Sequence, residues 1–103
     1  MMLSRYHVDA TEEAEDAIFS YELIRPGLGQ SFGKAVKDCL DRILANPRLL
    51  PLLVQGQANR EVRSCSLERF PYSVYYEILE TEIVILAIGH HHRRPGYWRR
   101  RRS

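Results

Sequence analysis

A chain of 103 residues with 45% apolar side chains fits one domain with a modest core. Its longest apolar run, "IVILAI" at 83–88, is far too short to cross a bilayer, and "MMLSRYHVDATEE" has no basic region followed by an apolar stretch as a signal peptide would, so a cytosolic protein without membrane partners is expected. The net charge of +2 conceals a division: residues 1–89 carry nine bases against 13 acids, whereas residues 90–103 carry six arginines and no acid.

Residues 3–8, "LSRYHV", alternate apolar and polar and predict a short first strand. Asp9 and Glu12 have the spacing of a capping box, with Asp in the leading position. A helix is predicted from there to about Ile24, with Ala14, Ala17, Ile18, Tyr21 and Ile24 on one face and Glu12, Glu13, Glu15, Asp16 and Glu22 on the others. "RPGLG" at 25–29 breaks it. A second helix follows from about Gln30 to Ala45, with Phe32, Val36, Leu40 and Ile43 as its apolar stripe. Asn46-Pro47 ends it, because the residue before proline disfavours helical geometry. The short connection predicts an antiparallel helical hairpin.

Residues 47–59 hold two prolines and no clean period, which predicts a loop laying apolar side chains over the core. Residues 61–67 alternate loosely and residues 72–78, "YSVYYEI", alternate well, with Tyr72, Val74, Tyr76 and Ile78 on one side. Glu80-Thr81 separates this strand from residues 83–88, which are apolar on both faces and so must be covered on both. Cys39 and Cys65 form neither a close pair nor a metal-binding spacing, so buried free thiols are expected, and no metal or cofactor. The sum is a single α+β domain over residues 1–103, β-α-α-β-β-β, with a small antiparallel sheet packed against an N-terminal two-helix hairpin and a basic tail at about 90–103.

The first strand, the acidic helix, "LGQSFGKAV", "ILANP", "RFPYSVYYEI" and "IVILAIGHHHRRPGYW", taken in that order, resemble the RelE/ParE superfamily of type II toxin–antitoxin toxins. The resemblance covers residues 3 to 99. Its most specific parts are Arg69-Phe70-Pro71-Tyr72 entering a strand and the ending His90-x-x-Arg93-x-Pro95-x-Tyr97-Trp98, which is closer to the ParE-like branch. The resemblance implies a cognate antitoxin that wraps the toxin in a hetero-oligomer. It also implies one of two targets. ParE-like members act on DNA gyrase by binding, and RelE-like members cut mRNA in the ribosomal A site.

For RNA cleavage without a metal, the chain needs groups that move protons and groups that neutralise phosphate. His90, His92, Arg93 and Tyr97 supply those types and are the catalytic candidates under the nuclease reading. Many RelE-like nucleases place an arginine just after the aromatic of the strand matching "FPYSVYY". Here that position is Ser73, and a serine cannot neutralise a phosphorane. Arg94, Arg99 and Arg100 are candidates for contacting a target or antitoxin, since a cationic block suits phosphate or an acidic protein surface; Trp98 is a candidate antitoxin hot spot, and Arg63 and Arg69, near the predicted strand, are candidates that could support either ligand or fold. Each also has a plainer role. Tyr72, Tyr75 and Tyr76 suit sheet packing. Trp98 suits packing back against the sheet, and residues 99–102 a solvated end. Whether the chain is a binding inhibitor, an endoribonuclease, or a partner-binding member without a toxic target stays open on the residues alone.

Overall fold

A computed structural model describes residues 2–53 and 59–102. The chain runs β1 (Leu3–Tyr6), α1 (Val8–Ile24), α2 (Leu28–Ala45), β2 (Val62–Ser66), β3 (Tyr72–Ile78) and β4 (Glu82–His90). The order is the one expected. The sheet is β1-β4-β3-β2, with β2–β3 and β3–β4 antiparallel. The expectation of a wholly antiparallel sheet needs one correction: β1 lies parallel to β4, pairing Leu3 with Glu82 through Tyr6 with Ile85. Side-chain alternation fixes which face a residue takes but not the direction of the neighbouring strand.

The entry to α1 also differs from the capping-box expectation. β1 stops two residues early, and His7 rather than Asp9 is the N-cap, its Nδ1 accepting from the Asp9 amide at 3.1 Å. The His7 amide still donates to Ile85 O at 2.8 Å, so the sheet ladder and the helix start share one residue. "RPGLG" breaks the helix as expected. Gly27 takes φ +91°, which favours glycine, and α2 begins at Leu28. Glu22 of α1 replaces a side-chain cap on α2, accepting from the Gly27 amide at 3.0 Å and the Gly29 amide at 3.0 Å.

One face of the sheet packs on the helices. Ala10, Ala17, Phe32, Val36, Cys39 and Ile43 meet Cys65, Val74, Tyr76, Ile78, Ile83, Ile85 and Ile88. Tyr72, Val74, Tyr76 and Ile78 lie on this side as the alternation requires. Ile24, placed on the buried face by its spacing, is exposed, as are Phe19 and Leu23. Both cysteines are buried and free.

Val84, Leu86 and Ala87 of β4 point to the other face, with Val62 and Trp98. A β-bulge accounts for two adjacent residues sharing it. Tyr75 pairs with Ala87 and Tyr76 with Ile85, which leaves Leu86 as an extra residue in β4. Of the predicted loop at 47–59, residues 54–58 lie outside the described residues. Leu50 and Leu53 pack inward, whereas Leu49 and Leu52 are exposed, so that segment covers the core only in part. Leu52 forms an isolated bridge to Arg63 beside β2.

At Gly29 α2 lies tightly against α1: a Cβ there would lie 2.5 Å from Ile18 O. Gly29→Ala should therefore push the hairpin apart and destabilise the fold by about 1–3 kcal/mol, the cost of overpacking, measured as a lowered urea midpoint.

Candidate functional site

The second face of the sheet is covered by the residues that follow β4. The outward positions of β3 recur every second residue, and each anchors this segment. Ser73 Oγ is 2.8 Å from His91 Nε2. Tyr75 stacks on Trp98 with ring centroids 5.8 Å apart. Glu77 forms a two-pronged ion pair with Arg60, both bonds 2.9 Å, and Arg60 also donates to Arg99 O at 2.7 Å and Arg101 O at 3.2 Å. The side chains of Arg60 and Glu77 are only 5% and 9% exposed. The tail is thus held by a serine, an aromatic and a buried ion pair in series. Trp98, 1% exposed, takes the packing role expected of it.

The catalytic candidates fall at the strand end and the turns beyond it. His90 and His92 lie together, centroids 4.8 Å apart, and the His92 amide donates to His90 Nδ1 at 3.0 Å. The His90 ring meets Tyr72 edge-on. The guanidinium of Arg93 covers the Tyr97 ring at 4.0 Å. His90 and Arg93 border a groove of about 200 Å³ with Glu13, Asp16 and Tyr72. Arg93 also borders a smaller one, about 140 Å³, with Arg94, Tyr97 and Trp98. Tyr97 itself faces inward. Its ring fills the space a side chain at residue 89 would occupy, which requires Gly89. Its hydroxyl donates to Glu13 Oε2 at 2.8 Å. Burial first, then this hydrogen bond and the charge of Glu13, push the Tyr97 pKa well above the ordinary tyrosine range.

The binding candidates divide into three places. Arg94, Arg99 and Arg100 are exposed on the tail. Arg63 lies on β2 and donates to Arg48 O at 3.1 Å, Leu50 O at 2.6 Å and Glu61 at 3.1 Å, so it fastens the segment before β2. Arg69 sits in the turn before β3 with φ +71°, beside a separate cavity of about 320 Å³ that Lys34, Asp38 and Arg42 also line. Among the described residues, neither Arg63 nor Arg69 bonds to the tail.

Two residues central to the site carry no motif. Glu13, read from the sequence only as part of a charged helix face, accepts from the Ile88 amide at 3.0 Å, from Tyr97, and from both prongs of Arg101 at 2.8 and 3.1 Å. Arg93 lies 4.0 Å from it. Burial alone would lower the Arg101 pKa, but the hydrogen bond and charge of Glu13, with Tyr97 and Asp9, raise it. Arg60 is the second. The only sequence signal for Glu13 was its place one turn after Asp9, on the side of α1 that both acids share.

Two outcomes follow from this geometry. Arg60→Met leaves Glu77 buried and unpaired, which should cost about 3–5 kcal/mol in urea unfolding, and adding Glu77→Leu should recover much of that loss. The second concerns alkali. Tyr76, whose pKa burial raises to about 12, and Tyr97 both stay protonated in the folded state after unfolded tyrosines ionise near ~10. Their contribution is complete below pH ~10 and is lost as pH rises toward the folded values. Urea midpoints should fall from pH 10 to 12, and Tyr97→Phe should flatten that fall.

A solved structure described as "Chromosomal ParDE TA system from P. aeruginosa" is similar to this chain, with a TM-score of 0.63 and 24% identity over 87% of this chain and 96% of that one; the likeness is one of fold. Among curated proteins, none matches the chain. The family described as "ParE toxin of type II toxin-antitoxin system, parDE" matches residues 5–95, from β1 through both helices and the rest of the sheet into the tail. The chain therefore belongs to the ParE toxin family of type II toxin–antitoxin systems.

Proposed function

We propose that this chain inhibits growth by binding DNA gyrase through its basic tail, and that a cognate antitoxin neutralises it in a hetero-oligomer. The observation that carries the reading is how the tail divides its residues. Tyr97, one of the four groups that would do RNA chemistry, is engaged inside the molecule, and a separate set of arginines faces out. Tyr97 is bonded to Glu13 and hard to ionise. Ser73 stands where a RelE-like nuclease carries an arginine, and its hydroxyl is taken up by His91 and Ser66. Arg94, Arg99 and Arg100 are exposed, while the aromatic rings that could stack on bases, Tyr97 and Trp98, are turned inward. That combination suits an acidic protein surface better than an unstacked nucleic acid, which calls for exposed aromatic platforms. The exposed apolar residues Leu3, Val8, Phe19, Leu23 and Ile24 support a protein partner for β1 and α1, the place we give the antitoxin.

A ribosome-dependent mRNA endonuclease is the second reading, favoured by His90, His92 and Arg93 lying together at the rim. Expression without antitoxin separates the two. Arrested growth, inhibited supercoiling by purified gyrase and intact transcripts are the expected results. Cuts within codons on ribosomes, with supercoiling unaffected, would instead select the nuclease. Replacing Arg94, Arg99 and Arg100 together by alanine should weaken gyrase inhibition roughly tenfold to a hundredfold, the scale of losing hot-spot arginines, and leave the fold intact by circular dichroism.

A further inference from the structure

β4 is longer than the strand beside it. β1 ends at Tyr6, opposite Ile85, and the His7 amide makes the last ladder bond. Beyond that point Leu86 O and Ile88 N face the open edge of the sheet. Both would be unpaired backbone groups in a half-buried place, which is costly. Two side chains take them instead. Arg101 donates to Leu86 O at 2.9 Å, and Glu13 accepts from Ile88 N at 3.0 Å. Arg101 and Glu13 also pair with each other at 2.8 Å. An ion pair between α1 and the tail thus stands where further residues of β1 would have been. The two side chains are 15% and 16% exposed, so solvent screens this pair much less than an exposed one.

The same carboxylate holds the Tyr97 hydroxyl, and Arg93 comes within 4.0 Å of it. None of these contacts belongs to the helix-facing core. They all fix the path of residues 93–101. On the outside of that path, Arg94, Arg99 and Arg100 form no ion pair among the described residues. We infer that Glu13 is a positioning residue for the target-contacting tail: it holds residues 93–101 in the one conformation that presents Arg94, Arg99 and Arg100 together. This rests on the tail being the end that meets the target. Without Glu13 the arginines keep their charge but lose their mutual placement, and binding then carries the entropy of ordering the segment.

The chain supplies its own reporter, because Trp98 is its sole tryptophan and its ring is buried between the tail and the sheet. The experiment compares the wild-type chain with Glu13→Gln and Arg101→Gln by tryptophan emission, far-UV circular dichroism, gyrase supercoiling and growth arrest without antitoxin. Arg101→Gln removes the pair from the tail side and leaves α1 untouched, so it decides the matter should Glu13→Gln fold poorly. The expected result is helix content unchanged, Trp98 emission moved to the red, and inhibition and arrest weakened roughly tenfold in both variants. Emission and potency unchanged would overturn the inference. So would red-shifted emission with full potency, because placement would then not matter, or lost potency with unshifted emission, because Glu13 would then act otherwise. A wild-type chain that arrests growth and leaves gyrase untouched would remove the proposed target, and the arrest by the two variants would still decide the role of Glu13.

Discussion

Strand β4 sends Ile83, Ile85 and Ile88 toward the helices and Val84, Leu86 and Ala87 the opposite way, and both sets are almost fully buried. A two-helix hairpin covers only one side of a sheet. The other is covered by Leu53 from before β2 and by chain that comes after β4, and much of the remaining architecture answers that requirement. Trp98 is the largest part of the cover. Burying a ring of its size is worth on the order of 4–6 kcal/mol before the entropy of ordering it, several times the value of any single exposed ion pair. The apolar demand of β4 therefore brings the tail down, and the polar contacts around it select which way it lies.

Charge follows the same division. The body of the chain is acidic and its end strongly basic, yet the two do not simply neutralise each other. Glu13 and Asp9 take up Arg101, and Glu77 takes up Arg60, which in turn holds two carbonyls of the tail. Glu13 and Glu77 are the acids that bind inward here. The arginines left over point away from the sheet. A cationic surface arises this way beside an acidic body, residues 1–89, and part of the tail's charge is consumed in anchoring the rest.

Much of this was legible in the residues. The period of 3.6 in "SFGKAVKDCLDRIL" and the period of two in "YSVYYEI" reflect packing on one face, and the elements they predict occur almost to the residue. The doubly apolar "IVILAI" requires a second cover, and Trp98, expected to pack back against the sheet, is part of it. What the sequence did not show depends on through-space partners. The parallel sense of β1 is one example. The start of α1 at His7 is another, since it turns on where β1 stops and not on the Asp9–Glu12 spacing. Glu13 and Arg60 are the third and largest: each is one charged residue among many, distinguished only by what the fold sets opposite it. Arg63 and Arg69 are candidates by their place near the strand, and their surroundings set them to other tasks, Arg63 fastening the segment before β2 and Arg69 bordering a cavity beside α2.

The surplus residue in β4 bears on how the molecule ends. Strict alternation from Ile83 would turn Ala87 and Gly89 toward the helices. With Leu86 inserted, Ile88 takes that side, and His90 follows it to meet Tyr72. The parity of one strand thus decides over which surface the polypeptide leaves the sheet. A relative lacking that extra position would launch its terminal arginines from the opposite side, against the helical hairpin, and would need a different lock to hold them.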